Sequence, residues 1–406
     1  MIELQPESVV FVRAFLATTV GILVLFAGKA LNRRVGLLRE YNIPEPVTGG
    51  LLFALVFWAL YLTSGYRLVF DLQVRDVLLV YFFTTVGLNA RLSDLRAGGR
   101  PFLILSILVT MFLLVQDVVG LAIAKLFGWP PAMGLLVGSI SLLGGHGTAI
   151  AWAPVLATRP GLENALEVGV LCATAGLVLA SVTGGPLAHF LVKRHRLEGP
   201  PGDAPEVGVH YGDAQASIDY FSFLSAILAI HICGAIGILV QQGMLSRGVN
   251  LPLFVPCLMA GVLLTNLLER AAPRLSWPSR TPALALIAEV ALGIFLAMSL
   301  MSMELWNLAD LAGPLFVALG LQVVLAIAFA AFVAFRALGR TYDAAVICAG
   351  LIGFGLGATP TAMANMTAVT QRHGASHVAF LVVPLVGAFF LDLLNTVAIR
   401  FFLTLN

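Results

Sequence analysis

Two stretches of this apolar chain are interrupted in the same way, and they constrain its fold more than any other feature. The first is Ser139-Ile140-Ser141-Leu142-Leu143-Gly144-Gly145-His146-Gly147-Thr148, the second Gly353-Phe354-Gly355-Leu356-Gly357-Ala358-Thr359-Pro360-Thr361, followed by Asn365. Glycine and proline break helices, and the hydroxyl, amide and imidazole groups between them bind ions. The surroundings are those of a membrane protein. Of 406 residues 59% are hydrophobic and 11% charged, where a soluble domain carries about 25% charged residues, and the mean hydropathy is +0.97. Broken backbone at membrane depth persists only where protein or a wet cavity satisfies it. A matched pair of such breaks is the sequence mark of a secondary transporter with its site near the bilayer midplane.

Ten segments are long and apolar enough to span, at about 20 residues each: Val9–Ala30, Pro46–Thr63, Val77–Leu92, Phe102–Ala124 and Asn164–Val192, then Phe221–Gln241, Leu253–Leu268, Ala283–Met303, Pro314–Phe335 and Ser376–Leu403. The two interrupted stretches, 132–157 and 342–369, each fall between the fourth and fifth span of a half and read as re-entrant hairpins. A polar stretch at 193–219 separates a first membrane repeat, 1–192, from a second, 220–406. Asn42-Ile43-Pro44 recurs as Asn250-Leu251-Pro252, Gln116 as Gln322, and Gly176 as Gly387, in order and at offsets of 206 to 211.

With the N-terminus outside, 16 of the 23 Lys and Arg residues fall on the cytoplasmic side, so the positive-inside rule puts both termini outside. Five spans per half is odd, so the second repeat is inverted. The expected fold is an all-α polytopic membrane protein made of two inverted five-helix repeats, each with a re-entrant hairpin. The N-terminus lacks a basic segment and reads as no cleaved signal. Cys172, Cys233, Cys257 and Cys348 have no metal-ligand spacing and read as small buried hydrophobes.

The first hairpin offers Gly144, Gly145 and Gly147 for tight turning and close approach of a ligand. Thr148 opens the next helical stretch, whose unpaired amides and dipole favour a carboxylate, and His146 can donate to the same group. A glycine-packed helix crossing would account for Gly144-Gly145 alone, but not for His146 and two hydroxyls in a stretch with a symmetric mate. The second hairpin presents Gly357, Thr359, Thr361 and Asn365, whose oxygens and freed carbonyls suit either sodium or part of the substrate. Neither stretch continues into the Gly-Lys-Ser/Thr of a phosphate loop.

Ionisable residues within spans are functional candidates because each costs a few kcal/mol there. Asp392 has Asn395 on the same helical face and could hold sodium, a proton or an ammonium. Substrate candidates are therefore Gly144, Gly145, His146, Gly147, Thr148, Thr359, Thr361, Asp392, Gln116 and Gln322. Sodium candidates are Ser141, Gly357, Thr359, Asn365, Asp392 and Asn395. Gln116 and Gln322 also have a plain role in joining helices. Asp117 lies beside Gln116, Asp343 opens the second hairpin, Glu289 sits early in the eighth span, and His231 reads as a packing histidine.

Several longer motifs are similar to those of the bacterial sodium/glutamate symporter family. They are Tyr41-Asn42-Ile43-Pro44-Glu45-Pro46-Val47-Thr48-Gly49-Gly50, Thr85–Asn89 with Leu95–Gly99, Gly144–Thr148, Gly353–Thr361, and Phe380–Phe390 with Asp392. The likeness runs from about Ala30 to the C-terminus. It implies sodium-coupled uptake of L-glutamate across the bacterial inner membrane, with Na+ as coupling ion and no cofactor. It also implies inverted five-helix halves, a fold shared with 2-hydroxycarboxylate transporters, and a homodimer that moves a transport domain against a scaffold in elevator fashion. Asp117 departs from it, an acid where a neutral residue is expected.

Other functions fare worse. Another di- or tricarboxylate, coupled to sodium or a proton, keeps the same machinery. An intramembrane hydrolase using His146 with Ser139 or Ser141 lacks an acid to orient the imidazole. A channel lacks the ring of identical pore segments that most channels use.

Overall fold

Segments that lie in a bilayer find no water for their amides, so each backbone group is paired within a helix, and helix dominates this chain. The computed structural model describes residues 2–5, 9–36, 38, 43–91, 99–199, 218–246, 252–272, 277–303 and 311–405. Most of the polar stretch (200–217), with the motif residues 41–42, 95–98 and 250–251, lies outside the described residues.

In chain order the helices are α1 (Ala14–Arg34), α2 (Glu45–Ser64), α3 (Gln73–Asn89), α4 (Gly99–Leu126), α5 (Pro131–Leu135), α6 (Gly145–Leu156) and α7 (Ala165–His195). There follow α8 (Tyr220–Leu245), α9 (Phe254–Ala271), α10 (Pro282–Met301), α11 (Ala312–Ala328), α12 (Tyr342–Leu356), α13 (Thr359–His373), α14 (His377–Leu385) and α15 (Leu391–Leu405). Single π-helical segments prolong α5 (Leu136–Ile140) and α11 (Phe329–Ala334) and join α14 to α15 (Val386–Phe390).

Among the described residues eight helices are long and apolar enough to cross a membrane: α1, α2, α4, α7, α8, α9, α10 and the α11 rod, to Ala337. The other two expected spans are helical as well. One is α3, with 17 residues, and the other is the α14–α15 rod with Pro384 inside it. The first expected span starts late. The β-branched run Val9–Val12 forms a strand, β2, that pairs antiparallel with β1 (Ile2–Gln5) and parallel with β3 (Arg67–Phe70), and helix begins only at Ala14.

Contacts group the helices into two compact units, each drawing on both sides of the polar stretch. The first unit holds α1–α3, α8–α10 and the small sheet. Local chemistry sets its helix ends: Pro46 sits in the first turn of α2, and Gly65 ends that helix at φ 72°. Asp219 and Ser222 form a reciprocal capping box at the start of α8. The same backbone amide of Ser222, then the Ser222 hydroxyl, holds the Asp219 carboxyl below its ordinary value. Small residues let α3, α8, α9 and α10 close around Ala226, Ala229, Cys233, Ala260 and Ala283. His231, read as a packing histidine, is exposed on α8, where its ring meets the Tyr81 hydroxyl.

The second unit holds α4–α7 and α11–α15. Its centre is α12, buried at every position except the half-buried Asp343. A helix apolar all round belongs in such a place. Asp343 there accepts a 2.6 Å hydrogen bond from the Ser376 hydroxyl. The α5 segment from Ala132 through Ile140 is equally buried. Cys172, Cys233, Cys257 and Cys348 are free thiols, all buried. The outer faces of both units carry exposed Phe, Leu, Ile and Val, including Phe15, Phe26, Leu103, Ile107, Phe221, Phe316 and Phe332. A bilayer accepts such side chains where water would penalise them.

Candidate functional site

Both interrupted stretches break where their sequences require it, and both lie in the second unit. At the first break Gly138 leaves helical geometry at φ −107°, ψ −125°. The chain turns through Ser141–Gly144 and restarts as α6 on Gly145, whose φ of 65° only glycine adopts without cost. At the second break α12 ends at Gly357, Ala358 is extended at φ −159°, and Pro360 in the first turn opens α13. Neither α6 nor α13 has a side-chain cap. Their first amides, with the positive end of each helix dipole, are therefore free to meet an anion.

The two breaks touch. A Cβ placed on Gly145 would lie 3.4 Å from the Gly357 carbonyl oxygen. The Thr359 hydroxyl reaches the Gly387 carbonyl at 3.4 Å, so the π-helical segment before α15 borders the second break.

Glutamine pairs hold this region together. Gln116 of α4 donates its amide to the Gly355 carbonyl at 3.1 Å, satisfying an acceptor near the interrupted end of α12. Gln322 of α11 donates to the Gln116 carbonyl at 3.2 Å. The Asp117 carboxylate accepts from the Ser139 amide at 3.1 Å, and Asn395 of α15 donates to the Ser139 carbonyl at the same distance. Asn365 engages its amide with the Ala180 carbonyl at 3.1 Å and the Ala349 carbonyl at 3.4 Å, tying α13 to α7 and α12.

What remains is a set of buried oxygens without a hydrogen-bond partner among the described residues. They are Gln116 Oε1, Asp117 Oδ2, Ser139 Oγ, Ser141 Oγ, Gln322 Oε1, Thr361 Oγ1 and Asn395 Oδ1. A buried unsatisfied polar group costs about 1–3 kcal/mol, so each of these oxygens calls for an explanation beyond packing.

His146 is buried, and its Nε2 lies 2.9 Å from the Thr174 hydroxyl. That hydroxyl donates to the Val170 carbonyl at 2.8 Å, so its lone pair receives the His146 Nε2 proton. Donation to a ligand through Nδ1 consequently requires the doubly protonated ring. Thr148 is buried one turn into α6. Asp392 is half-buried one turn before Asn395 on α15. Glu289 is exposed.

Of the expected residues, Gly145 and Gly357 thus meet directly, with Asn395 beside Gly144, Gln116 on the Gly355 carbonyl and Gln322 beside Gly138. Asn365 is drawn into main-chain ties further along α13. Ser139 and Thr174 were not among the expected residues. Ser139 belongs to the glycine-rich motif, while Thr174 has no signal in the sequence.

A membrane bundle with two touching helix breaks, uncapped helix ends and oxygen-rich surroundings is the build of a secondary transporter. The profile of the family described as sodium/glutamate symporters matches residues 11–375. The chain is 44% identical over 398 residues to the sodium/glutamate symporter of Escherichia coli, covering 96% of this chain and 97% of the relative. It is 40% identical over 382 residues to that of Haemophilus influenzae, covering 93% and 94%. The chain belongs to the sodium/glutamate symporter family. A sodium/proton antiporter of Methanocaldococcus jannaschii aligns over 96% of this chain and 97% of its own, at 14% identity and a TM-score of 0.41, a likeness too loose to bear on the site.

Proposed function

We propose that the protein imports L-glutamate together with sodium across the bacterial inner membrane by alternating access, and that the touching breaks form its binding site. The observation that carries this reading is the pair of uncapped helix N-termini at the contact of Gly145 with Gly357. Glutamate has two carboxylates and one ammonium. The first-turn amides of α6 and α13 suit the carboxylates, with His146, Thr148, Thr359 and Thr361 adding polar contacts. Asp392 takes the ammonium or a sodium. Ser141, the Gly357 carbonyl and Asn395 supply further oxygens for sodium, and Asn365 contributes only its side-chain oxygen.

Sodium travelling with the anion offsets its charge against a membrane potential, which opposes an inward anion by about 2.3 kcal/mol per charge per 100 mV.

Inverted repeats with re-entrant hairpins fit the symmetric division of the helices. The first three spans of each half fall in one unit, and the fourth and fifth with the hairpin fall in the other. Movement is then elevator-like, with the unit that holds the breaks as the moving body. Both termini face outward, and the protein works as a homodimer.

The test is radiolabelled L-glutamate uptake into liposomes holding the purified protein, with and without an inward sodium gradient. Sodium-dependent accumulation is expected. Uptake driven only by a proton gradient, or a preference for malate or citrate over glutamate, would overturn the reading.

A further inference from the structure

The unpartnered oxygens around the first break have one chemical character. Gln116, Gln322 and Asn395 each direct the amide nitrogen at a main-chain carbonyl. That contact sets the carboxamide orientation, since the flipped group would oppose two oxygens. Their donors are engaged and their acceptors are left over. Asp117 adds a carboxylate oxygen to the same set, and Gln116, Asp117, Ser139 and Gln322 are all 0% exposed.

These groups sit against one stretch of backbone. A Cβ on Gly138 would lie 3.3 Å from Asp117 Oδ1 and 3.6 Å from Gln322 Nε2. The next residue, Ser139, bonds Asp117 through its amide and Asn395 through its carbonyl. The charge belongs to one half of the chain only. At the offset of 206 that relates Gln116 to Gln322, Asp117 corresponds to Val323.

We propose that Asp117 Oδ2, the Ser139 hydroxyl and the side-chain oxygens of Gln322 and Asn395 form a binding site for one dehydrated sodium ion. The assignment rests on the reading of the chain as a sodium-coupled carrier, and it names a ligand outside the glycine-rich motifs. A buried carboxylate needs a counter-charge. A proton on Asp117 would serve one neighbouring acceptor and leave the other oxygens unpaired. A small hard cation engages several oxygens at once. Among the described residues no three His, Cys, Asp or Glu gather, so the donor set is one of neutral oxygens around a single charge and suits a monovalent hard ion.

The test is sodium titration of the purified full-length protein without glutamate, at constant pH and ionic strength, read as thermal unfolding temperature and as 22Na+ binding. Wild type should show saturable stabilisation by sodium. Asp117→Asn, which keeps shape and hydrogen-bonding size, should raise the half-saturating sodium concentration about tenfold or more. Ser139→Ala should raise it less. Gln322→Leu carries the same expectation should the Asp117 variant fail to fold.

Variants that titrate like wild type would overturn the site. So would a wild type indifferent to sodium whose unfolding temperature follows pH and loses that dependence in Asp117→Asn, because the carboxylate then carries a proton. Should sodium bind as described while liposomes take up no glutamate, the cation site stands and the substrate assignment falls.

Discussion

At the first break the chain turns on Gly145 in the left-handed region, whereas at the second it passes through extended Ala358 into Pro360. The first break is bordered by Asp117 and His146, an acid and a titratable ring. The second has Thr359 and Thr361 as its nearest polar side chains along the chain and carries no ionisable group from Gly353 to Thr370. The comparison teaches that the two stretches share an interrupted, uncapped helix start but reach it through different backbone and surround it with different chemistry. The first break is equipped to handle charge, and the second to add hydroxyl and main-chain contacts.

The largest expected effect of breaking that difference comes from His146→Ala. Removing the buried ring takes away its hydrogen bond to Thr174 of α7 and a polar face of the site, a change of about 1–3 kcal/mol, so the KM for glutamate uptake should rise about tenfold or more while the protein reaches the membrane at a near-normal level. Transport kinetics beside an immunoblot decide it, and an unchanged KM would remove the ring from the site. Next is Gly145→Ala, which forces a side chain into φ 65° at about 1–2 kcal/mol. Uptake should fall about tenfold, against a smaller loss for Gly147→Ala, since Gly147 is not among the positive-φ glycines. Equal losses would mean that the turn conformation is not what matters.

At the neutral break the expected effect is smaller. Thr361→Val removes one neutral hydroxyl, a change of about 0.5–1.5 kcal/mol, and uptake should drop by about threefold with a near-normal unfolding temperature. A loss as deep as that of His146→Ala would erase the proposed division between the breaks.

The smallest effect lies at the far end of α13, where His189 Nδ1 and His373 Nε2 are 2.9 Å apart. Burial first, then His189 and Arg372, hold His373 below its ordinary value of 6.5. The folded protein therefore favours the neutral ring. Its contribution is complete above that ordinary value and is lost as pH falls from there through the lower folded one. Because the ring is only partly buried at the end of α13, the unfolding temperature should decline only slightly in that window, and His373→Gln should flatten the decline. An equally steep slope in the variant would assign the dependence elsewhere.

The breaks were legible because Gly145 and Pro360 act through their own backbone, which sequence displays directly. Helix content and, among the described residues, eight of the ten expected spans followed from composition and spacing. The first helix start was misplaced because Val9–Val12 satisfies an apolar criterion while its partners, 58 residues away at Arg67–Phe70, lie beyond any local window. Thr174 was invisible for a related reason. A threonine inside an apolar helix ordinarily bonds its own preceding turn, as Thr174 does with Val170, and nothing local says that its lone pair also meets His146. Asp117 stood out as a charge, yet its bond to Ser139 spans 22 residues and depends on how α4 packs against the first break.

The buried thiols have a practical consequence. Cys172, Cys233, Cys257 and Cys348 all lie away from solvent, so the natural chain should be nearly silent to membrane-impermeant maleimides without any cysteine being replaced. A single thiol introduced at Thr148 or Thr361 would then report, by its labelling rate from either side of the membrane, when each break opens to water and when sodium or glutamate seals it.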